Sequence, residues 1–194
     1  MERVDRAQWG AVSMDERGVL DRAQAGNAAA FSALFDQYQR PIVNYLFRMV
    51  RDREVAEDLA QDTFLKAYRA IEKTEGELNF RAWIYRIATN TAMSYFRRKR
   101  LLQWTPFGPS TPDRGKDLRL AERVSESELI EQAMQKIGPS HSSVLLLRHH
   151  QGLSIDEIAD TLQIKSNAAK VRLFRARKAF AQAYETLAAE KGQA

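Results

Sequence analysis

Two pairs of side chains in this sequence could carry chemistry by their type and spacing, and neither pair predicts catalysis. Asp58 and Asp62 are spaced i, i+4 and share one helical face, where two carboxylates could move a proton or hold a metal. Acids in early helical turns usually favour the helix dipole instead. His149 and His150 are adjacent, so on a helix their side chains diverge by about 100° and do not readily share one ion. We therefore expect no catalytic residue, no metal, no cofactor and no small-molecule substrate, in a protein that is not an enzyme.

A cationic run near the end of the chain indicates a polyanionic partner instead. Five cations precede Glu185 with no acid between them: Lys170, Arg172, Arg175, Arg177 and Lys178. A helix that carries them can approach the phosphate backbone of DNA. Ser166, Asn167 and Lys170 lie nearest to the predicted helix start, where side chains reach base edges in the major groove. The later arginines are expected to hold phosphates and to set the register.

The elements that would position this helix form a helix-turn-helix. Ser154 and Glu157 have the spacing of a capping box, which starts a short helix. The apolar face of that helix consists of Ile155, Ile158, Ala159 and Leu162. A tight turn at residues 163–165 follows, and Ser166 is predicted to cap a last helix that runs to about Leu187. A solvated basic helix in a small bundle is the alternative, but the capping box, the turn and the charge asymmetry together favour DNA binding.

Two amphipathic helices are predicted at the start of the N-terminal half. The first shows apolar residues at steps of three and four: Phe31, Leu34, Phe35, Tyr38, Ile42, Tyr45, Leu46 and Met49. Pro41 is expected to kink or split this helix. The second helix follows Asp52 as its N-cap, and its apolar residues are Val55, Leu59, Leu65, Tyr68 and Ile71.

A third helix is predicted after Asn79, which can serve as its N-cap. Its apolar and aromatic face contains Phe80, Trp83, Ile84, Ile87, Thr91 and Tyr95. The helix runs into four consecutive cations at residues 97–100. Residues 81–100 hold six basic side chains and no acid, whereas residues 51–62 hold more acids than bases. The N-terminal half therefore presents two faces of opposite charge.

The composition fits a fold with two modest hydrophobic cores. The 194 residues are 44% hydrophobic and 28% charged, an ordinary globular balance. Prolines and glycines at residues 103–125 leave no room for a regular element. We predict an all-α fold in two small helical domains, with an N-terminal arm at 1–17, a first domain at 18–102, a flexible linker at 103–125 and a helix-turn-helix domain at 126–190.

Cysteine usage and hydropathy suggest where the protein works. The chain has no cysteine, which excludes disulfides, thiol nucleophiles and cysteine-ligated metal sites and fits the reducing cytoplasm. The N-terminal residues mix charges of both signs, so we expect neither a signal peptide nor a membrane anchor. Lysine and arginine outnumber aspartate and glutamate by 30 to 25, so the location of the charges matters more than their sum.

Four segments of the sequence resemble one protein family. The segments LSIDEIADTL at residues 153–162 and KVRLFRARK at residues 170–178 resemble the C-terminal domain of bacterial extracytoplasmic-function (ECF) sigma factors, which belong to the sigma-70 family. The segments DLAQDTF at 58–64 and FRAWIYRIATN at 80–90 are similar to that family's polymerase-binding and promoter-melting helices, in the same order. The resemblance covers roughly residues 20–187 and implies a sigma factor of the alternative type that binds core RNA polymerase and directs promoter-specific initiation.

The resemblance also implies roles for particular residues. The polymerase-binding residues would be Asp58, Gln61, Asp62 and Phe64. The residues that hold the unpaired strand of the minus-ten element would be Asn79, Trp83, Arg86, Asn90, Arg97 and Arg98. The residues that read the minus-thirty-five element as duplex would be Ser166, Asn167, Lys170, Arg172, Arg175 and Arg177. By the same resemblance, the partners would be bacterial core RNA polymerase, promoter DNA and an anti-sigma factor.

Some alternatives stay open at the level of sequence. Trp83 shares its face with Phe80 and Ile87, so a place in the core competes with a role in base stacking. Asn167 and Ala168 stand where the family commonly has glycine and then threonine, which leaves the base preference open. A stand-alone helix-turn-helix regulator that binds duplex operators as a dimer is the chief rival, although it leaves the N-terminal half unexplained. A metal-dependent enzyme of DNA that uses Asp58 and Asp62 is a third, weaker class.

Overall fold

The computed structural model describes residues 14–74, 76–104 and 126–192 of the chain, which form eight α-helices and no strand within those ranges. The helices are α1 (Met14–Gln24), α2 (Ala28–Val50), α3 (Arg53–Ile71), α4 (Phe80–Trp104), α5 (Glu126–Lys136), α6 (Pro139–His149), α7 (Ile155–Leu162) and α8 (Ser166–Gly192). Helices α1–α4 make up the first unit and α5–α8 the second. The all-α prediction is confirmed, whereas most of the predicted linker lies outside the described residues.

Helix α2 forms the centre of the first unit and is continuous through Pro41. Of the two outcomes expected at this proline, a kink or a split, the split does not occur. Tyr38 and Ile42, on either side of it, are 4% and 0% exposed and bury into the same core. Packing on both sides outweighs the loss of one backbone hydrogen bond. The Tyr45 hydroxyl bonds to Thr89 Oγ1 at 2.8 Å and ties α2 to α4 inside that core.

Helix α1 begins at Met14, inside the segment that the sequence predicts as a loose arm. Residues 14–17 are therefore helical, while residues 1–13 of that arm lie outside the described residues. Two long-range contacts hold the start of α1: the Tyr38 hydroxyl donates to Glu16 Oε1 at 2.7 Å, and Arg17 pairs with Glu77. Both partners are distant in sequence, so the hydrophobic periodicity of residues 1–18 carries no trace of them.

The predicted N-caps of α3 and α4 are confirmed. The Asp52 side chain accepts a hydrogen bond from the Val55 backbone at 3.1 Å, and the Asn79 side chain accepts one from Ala82 at 3.0 Å. The apolar face predicted for α3 is only partly right, because Leu65 and Tyr68 are 53% and 47% exposed. The core of α3 instead uses small residues such as Ala56, Ala60 and Ala67, which allow α2 and α4 to approach closely. This leaves two large apolar side chains on the surface of α3.

In the second unit the predicted capping box is present in full. The Glu157 backbone N–H donates to Ser154 Oγ at 3.1 Å, and the Ser154 backbone N–H donates to Glu157 Oε2 at 2.8 Å. The prediction for Ser166 was wrong: it is the first residue of α8, and its hydroxyl donates to Asp156 Oδ1 at 2.6 Å. This bond ties the start of α8 to the start of α7 and so fixes the angle between the two helices.

The two units pack against each other, chiefly through α4 and α7. The Thr161 hydroxyl donates to the Ala82 carbonyl at 3.2 Å, and both residues are buried. On another side of the contact, Arg51 of the first unit pairs with Glu131 of α5 at 2.8 Å. None of the helices in the described ranges is long and apolar enough to cross a membrane.

Candidate nucleic-acid and polymerase interfaces

The N-terminal half of α8 presents a cationic surface to solvent. Asn167, Lys170, Arg175 and Arg177 are exposed, while Arg172 is half-buried. The opposite face of the helix packs in the core of the second unit through Ala169, Leu173 and Ala176. Because the residues needed for packing and those predicted to bind DNA occupy different faces, α8 can enter a groove without losing its own support.

No carboxylate within the described ranges forms an ion pair with these α8 cations. Arg177 contacts His149 Nε2 at 3.4 Å, and Ser166 is engaged by Asp156. The positive charge of the surface is therefore left for an external anion. A linear array of unneutralised cations on a helix is the electrostatic footprint of a nucleic-acid site.

Sequence reasoning missed one component of the α8 surface. Phe174 is 69% exposed and Val171 is 48% exposed, so both lie among the cations rather than in the core. Their spacing of i, i+3, out of register with the buried Ala169, Leu173 and Ala176, is the signal that could have identified them. An exposed aromatic side chain on a basic helix offers apolar contact to DNA bases.

The turn between α7 and α8 sets how far α8 projects. Gln163 ends α7 with a φ of 53°, in the left-handed region, and its backbone N–H bonds to the Ala159 and Asp160 carbonyls.

Burial alone would raise the pKa of Glu157, but hydrogen bonds from Ser154 and Asn79 outweigh it and lower that pKa below its usual range. The Glu157 carboxylate thus stays ionised as the capping acid.

Ser154→Ala is expected to lower the free energy of unfolding by about 1 kcal/mol, because the substitution removes the acceptor for the Glu157 N–H at the start of α7. Urea unfolding followed by circular dichroism measures this loss. Ser154→Asp keeps a capping acceptor at the same position and should retain most of the wild-type stability. Equal stability of Ser154→Ala and wild type would show that the capping box contributes nothing.

The residues predicted for the minus-ten element lie along α4, but they differ in accessibility. Asn90, Arg97 and Arg98 are exposed, and Arg97 also bonds to Ser94 Oγ at 3.1 Å. Asn79 is exposed too, while its side-chain oxygen caps α4. The C-terminal end of α4 is therefore cationic, and its N-terminal end is polar.

Trp83 is only 6% exposed and packs against Phe80 with ring centroids 5.6 Å apart. Both Trp83 and the half-buried Arg86 line a cleft of about 540 Å³ between the two units, which we call the α4–α7 cleft. Its walls are Leu78, Asn79, Ala82, Trp83 and Arg86 of the first unit and Ala159, Asp160, Gln163, Ile164 and Lys165 of the second. In this arrangement the indole packs on its own core, and α7 forms the opposite wall of the cleft.

The predicted polymerase-binding residues do not all lie at the surface. Asp58, Gln61 and Asp62 are exposed on α3, and Asp62 approaches Lys66 at 3.9 Å. Phe64 is 5% exposed and contacts Phe35 with ring centroids 4.7 Å apart. Its position supports the helix from inside the core. Leu65, which sequence reasoning assigned to the core, is instead the exposed apolar neighbour of the acids, at i+3 from Asp62.

His149 and His150 line a second inter-unit space, a groove of about 380 Å³ bordered by Arg48, Arg51 and Arg177. Its base is apolar and includes Met134, Leu145, Leu146 and Phe180. No cluster of three metal-ligating side chains occurs within the described part of the chain. The two histidines lie beside a contact between the two units.

The pKa of His150 lies below its ordinary value because partial burial of the imidazole, and then the positive charges of Arg48, His149 and Arg51, disfavour the imidazolium. The unfolded chain therefore binds this proton more readily, so the contribution of His150 to stability is present above the ordinary pKa and is lost as pH falls through the lowered pKa. We expect His150→Gln to reduce the loss of unfolding free energy between about pH 8 and about pH 5. Urea unfolding at both pH values measures this loss of unfolding free energy, with His141→Gln as the control. An undiminished loss in His150→Gln would show that His150 is not the group responsible.

Two family models match separate parts of the chain. The family model described as Sigma-70 region 2 matches residues 34–101, and that described as Sigma-70, region 4 matches residues 127–180. The chain is 33% identical to the RNA polymerase sigma-H factor of Pseudomonas aeruginosa, over 90% of this chain and 96% of the relative. It is 36% identical to the RNA polymerase sigma factor YlaC of Bacillus subtilis, over 74% of this chain and 86% of the relative.

Two solved structures share the fold. CnrH, solved in complex with the cytosolic domain of CnrY, is similar with a TM-score of 0.66 and 22% identity, over 88% of this chain and 97% of that one. The sigma factor RpoE, solved in complex with the anti-sigma factor NepR from Bartonella quintana, gives a TM-score of 0.64 and 20% identity, over 80% and 96%.

Fold and surfaces together define a helical DNA-binding transcription protein. Its second unit contains a helix-turn-helix, and its first unit has an acidic face on α3 and a cationic end on α4. The chain belongs to the ECF sigma factors of the sigma-70 family. Its function is accordingly promoter-specific initiation of transcription with RNA polymerase.

Proposed function

We propose that this sigma factor divides its work among three surfaces of the chain. The acidic face of α3 binds core RNA polymerase, the cationic half of α8 binds the minus-thirty-five element as duplex, and the α4 face captures the melted minus-ten strand. The observation that carries the proposal is the separation of charge: the α3 acids and the α8 cations are exposed on different units, each free of its helix's packing face.

On α3 the binding surface consists of Asp58, Gln61 and Asp62 with Leu65 beside them. An exposed leucine flanked by acids can anchor in an apolar pocket of the polymerase, while the carboxylates pair with cations at its rim. Phe64 is buried on the core side of α3 and holds this part of the helix against Phe35 of α2. The surface thus combines an apolar contact with charge complementarity.

On α8 the side chains divide by position along the helix. Asn167 and Lys170 lie in the first turns, where they reach base edges, and Phe174 offers apolar contact to a thymine methyl group. Arg172, Arg175 and Arg177 hold phosphates, supported by the Ser166–Asp156 hydrogen bond that fixes the helix start. Base contacts then specify the sequence and phosphate contacts position the helix.

On α4 the melted minus-ten DNA strand would lie along the helix from Asn79 to the cations at Arg97 and Arg98. Arg86 and Asn90 contribute hydrogen bonds, and the Trp83 indole supplies a stacking face once it is uncovered. Arg97 and Arg98 contact the backbone.

The proposed partners follow from this division: core RNA polymerase, promoter DNA and an anti-sigma factor that holds the protein inactive, all within the cytoplasm. The complex of the similarly folded RpoE chain with the anti-sigma factor NepR supports the proposal of an anti-sigma partner. Nuclease footprinting tests the scheme against a dimeric operator-binding regulator. The purified protein should protect promoter DNA only together with core enzyme, on one asymmetric site; a symmetric two-half-site footprint by the protein alone would refute the proposal.

A further inference from the structure

The groove beside the two histidines, which we call the α2–α6 groove, has an apolar base. Leu145 and Leu146 on this base are 7% and 3% exposed, and Met134 and Phe180 are half-buried beside them. Ile130 of α5 also lines the groove and is 42% exposed, which is unusual for a large apolar side chain. The volume of about 380 Å³ lies within the range of small-molecule sites. The groove therefore has the size and the apolar surface to hold the body of a small molecule.

The rim of the α2–α6 groove carries more positive charge than the chain neutralises. Three arginines and two histidines line it, together with one carboxylate among the described residues, that of Glu131. Glu131 pairs with Arg51 at 2.8 Å. Arg48 and Arg177 form no ion pair with any carboxylate in the described ranges. The charge of the rim therefore favours an anionic ligand.

Arg51 has a hydrogen-bond donor that its ion pair does not use. Its Nη1 bonds to Glu131, whereas its Nε is buried with no hydrogen-bond partner in the part of the chain that the structure describes. The side chain is not needed to cap α2, because the Arg51 backbone N–H already bonds to the Phe47 carbonyl at 2.8 Å. An unsatisfied buried donor costs free energy, so Arg51 gains from a small shift toward an external acceptor.

The positive charge of the rim also acts on His150. Partial burial of the imidazole, and then the charges of Arg48, His149 and Arg51, hold the pKa of His150 below its ordinary value. The same charges that disfavour an additional cation at this point stabilise an anion there.

We propose that the α2–α6 groove is a binding site for a fatty acid anion, with its carboxylate on Arg48 and Arg51 and its alkyl chain on the apolar base. A carboxylate matches the planar donor fork of a guanidinium. Free phosphate or a nucleotide would satisfy the cations but leave Leu145 and Phe180 without an apolar partner. A protein partner would need a contact of about 800 Å² on this chain, whereas one alkyl chain suffices for the groove. Apart from Arg177, the site shares no residue with the proposed DNA and polymerase surfaces.

Isothermal titration calorimetry of the full-length protein with sodium decanoate, below the concentration at which decanoate forms micelles, tests for the site. Decanoate should bind at a single site. Acetate keeps the carboxylate and lacks the alkyl chain, and decyltrimethylammonium keeps the chain and inverts the charge. Each of these two probes should bind about tenfold more weakly or not at all, because each lacks one half of the recognition.

Two substitutions at exposed positions separate the rim from the base. Arg48→Gln should raise the Kd for decanoate by about three- to tenfold, since it removes one cation from the carboxylate. Ile130→Ser should raise it by about threefold or more, since it removes apolar contact with the alkyl chain. The matched control is Arg40→Gln, an exposed arginine about two turns earlier on α2 that does not line the groove. Its Kd for decanoate should equal that of the wild type.

Methyl resonances of isoleucine and methionine locate the bound probe. Decanoate should shift the signals of Ile130 and Met134, and weaker binding in Arg48→Gln and Ile130→Ser with unchanged binding in Arg40→Gln would support the site. Absence of decanoate binding, or equal binding of decyltrimethylammonium, would overturn the proposal. An equal loss in Arg40→Gln would indicate general attraction to a cationic protein and overturn it as well, as would methyl shifts that leave Ile130 and Met134 unaffected.

Discussion

Lys170→Ala is expected to weaken binding of the polymerase holoenzyme to its minus-thirty-five element by about 1–3 kcal/mol and to relax the base preference at one position. Lys170 is exposed in the first turns of α8, outside the face that buries Ala169 and Leu173, where side chains reach base edges. Electrophoretic shift assays with a panel of duplexes that differ at single positions measure both effects.

The matched variant for Lys170 is Arg175→Ala, which removes an equal charge one and a half turns further along the helix, at about 3.6 residues per turn. As a phosphate contact, it should weaken binding uniformly across sequences and reduce the slope of log affinity against log salt by about 1. The division of α8 into base-reading and phosphate-holding parts is wrong if both variants lose affinity uniformly across the panel.

Leu65→Ala and Asp62→Ala are each expected to raise the Kd for core polymerase by roughly five- to thirtyfold, about 1–2 kcal/mol, because they remove the apolar anchor and an acid from the exposed face of α3. Binding of labelled sigma factor to core enzyme by fluorescence anisotropy measures the loss. With core polymerase at saturating concentration, duplex binding through α8 should not change, since α8 belongs to the other unit.

Glu190→Ala is the control for the α3 variants, because it removes an exposed acid from the far end of α8. A matching loss of core affinity in this control would mean that net charge rather than the α3 surface governs docking. If Asp62→Ala and Leu65→Ala both bind core polymerase like the wild type, the docking surface lies elsewhere.

The parts of the fold that could be predicted from sequence depend on local physics. Asp52, Asn79 and Ser154 each satisfy backbone N–H groups within three residues, so their capping roles are visible in the order of the residues. The helix-turn-helix follows for the same reason, since its capping box, apolar spacing and charge run lie in one short stretch.

The parts that could not be predicted depend on distant contacts. The start of α1 rests on Tyr38 and Glu77, and the continuity of α2 through Pro41 rests on core packing. Leu65 and Phe64 are adjacent apolar residues of α3, and only the direction from which α2 packs decides which of them is exposed. Hydrophobic periodicity placed Leu65 on the apolar face, and the resemblance placed Phe64 among the polymerase-binding residues, so the apolar part of the docking surface emerges only from tertiary structure.

The covering of Trp83 was likewise hidden from sequence analysis. Its spacing left a place in the core and a role in base stacking open. The structure shows an indole that packs on Phe80 and lines a cleft whose other wall belongs to a helix more than seventy residues further along the chain. Non-local pairing of this kind leaves no periodic pattern in either helix.

Run-off transcription on a promoter library, with purified bacterial core polymerase in the presence and absence of this protein, tests the central claim most directly. The account predicts that a defined set of promoters yields transcripts only when the protein is present, and that Leu65→Ala and Lys170→Ala each reduce their yield. Transcripts that do not depend on the protein, or no transcripts together with tight duplex binding by the protein alone, would contradict it.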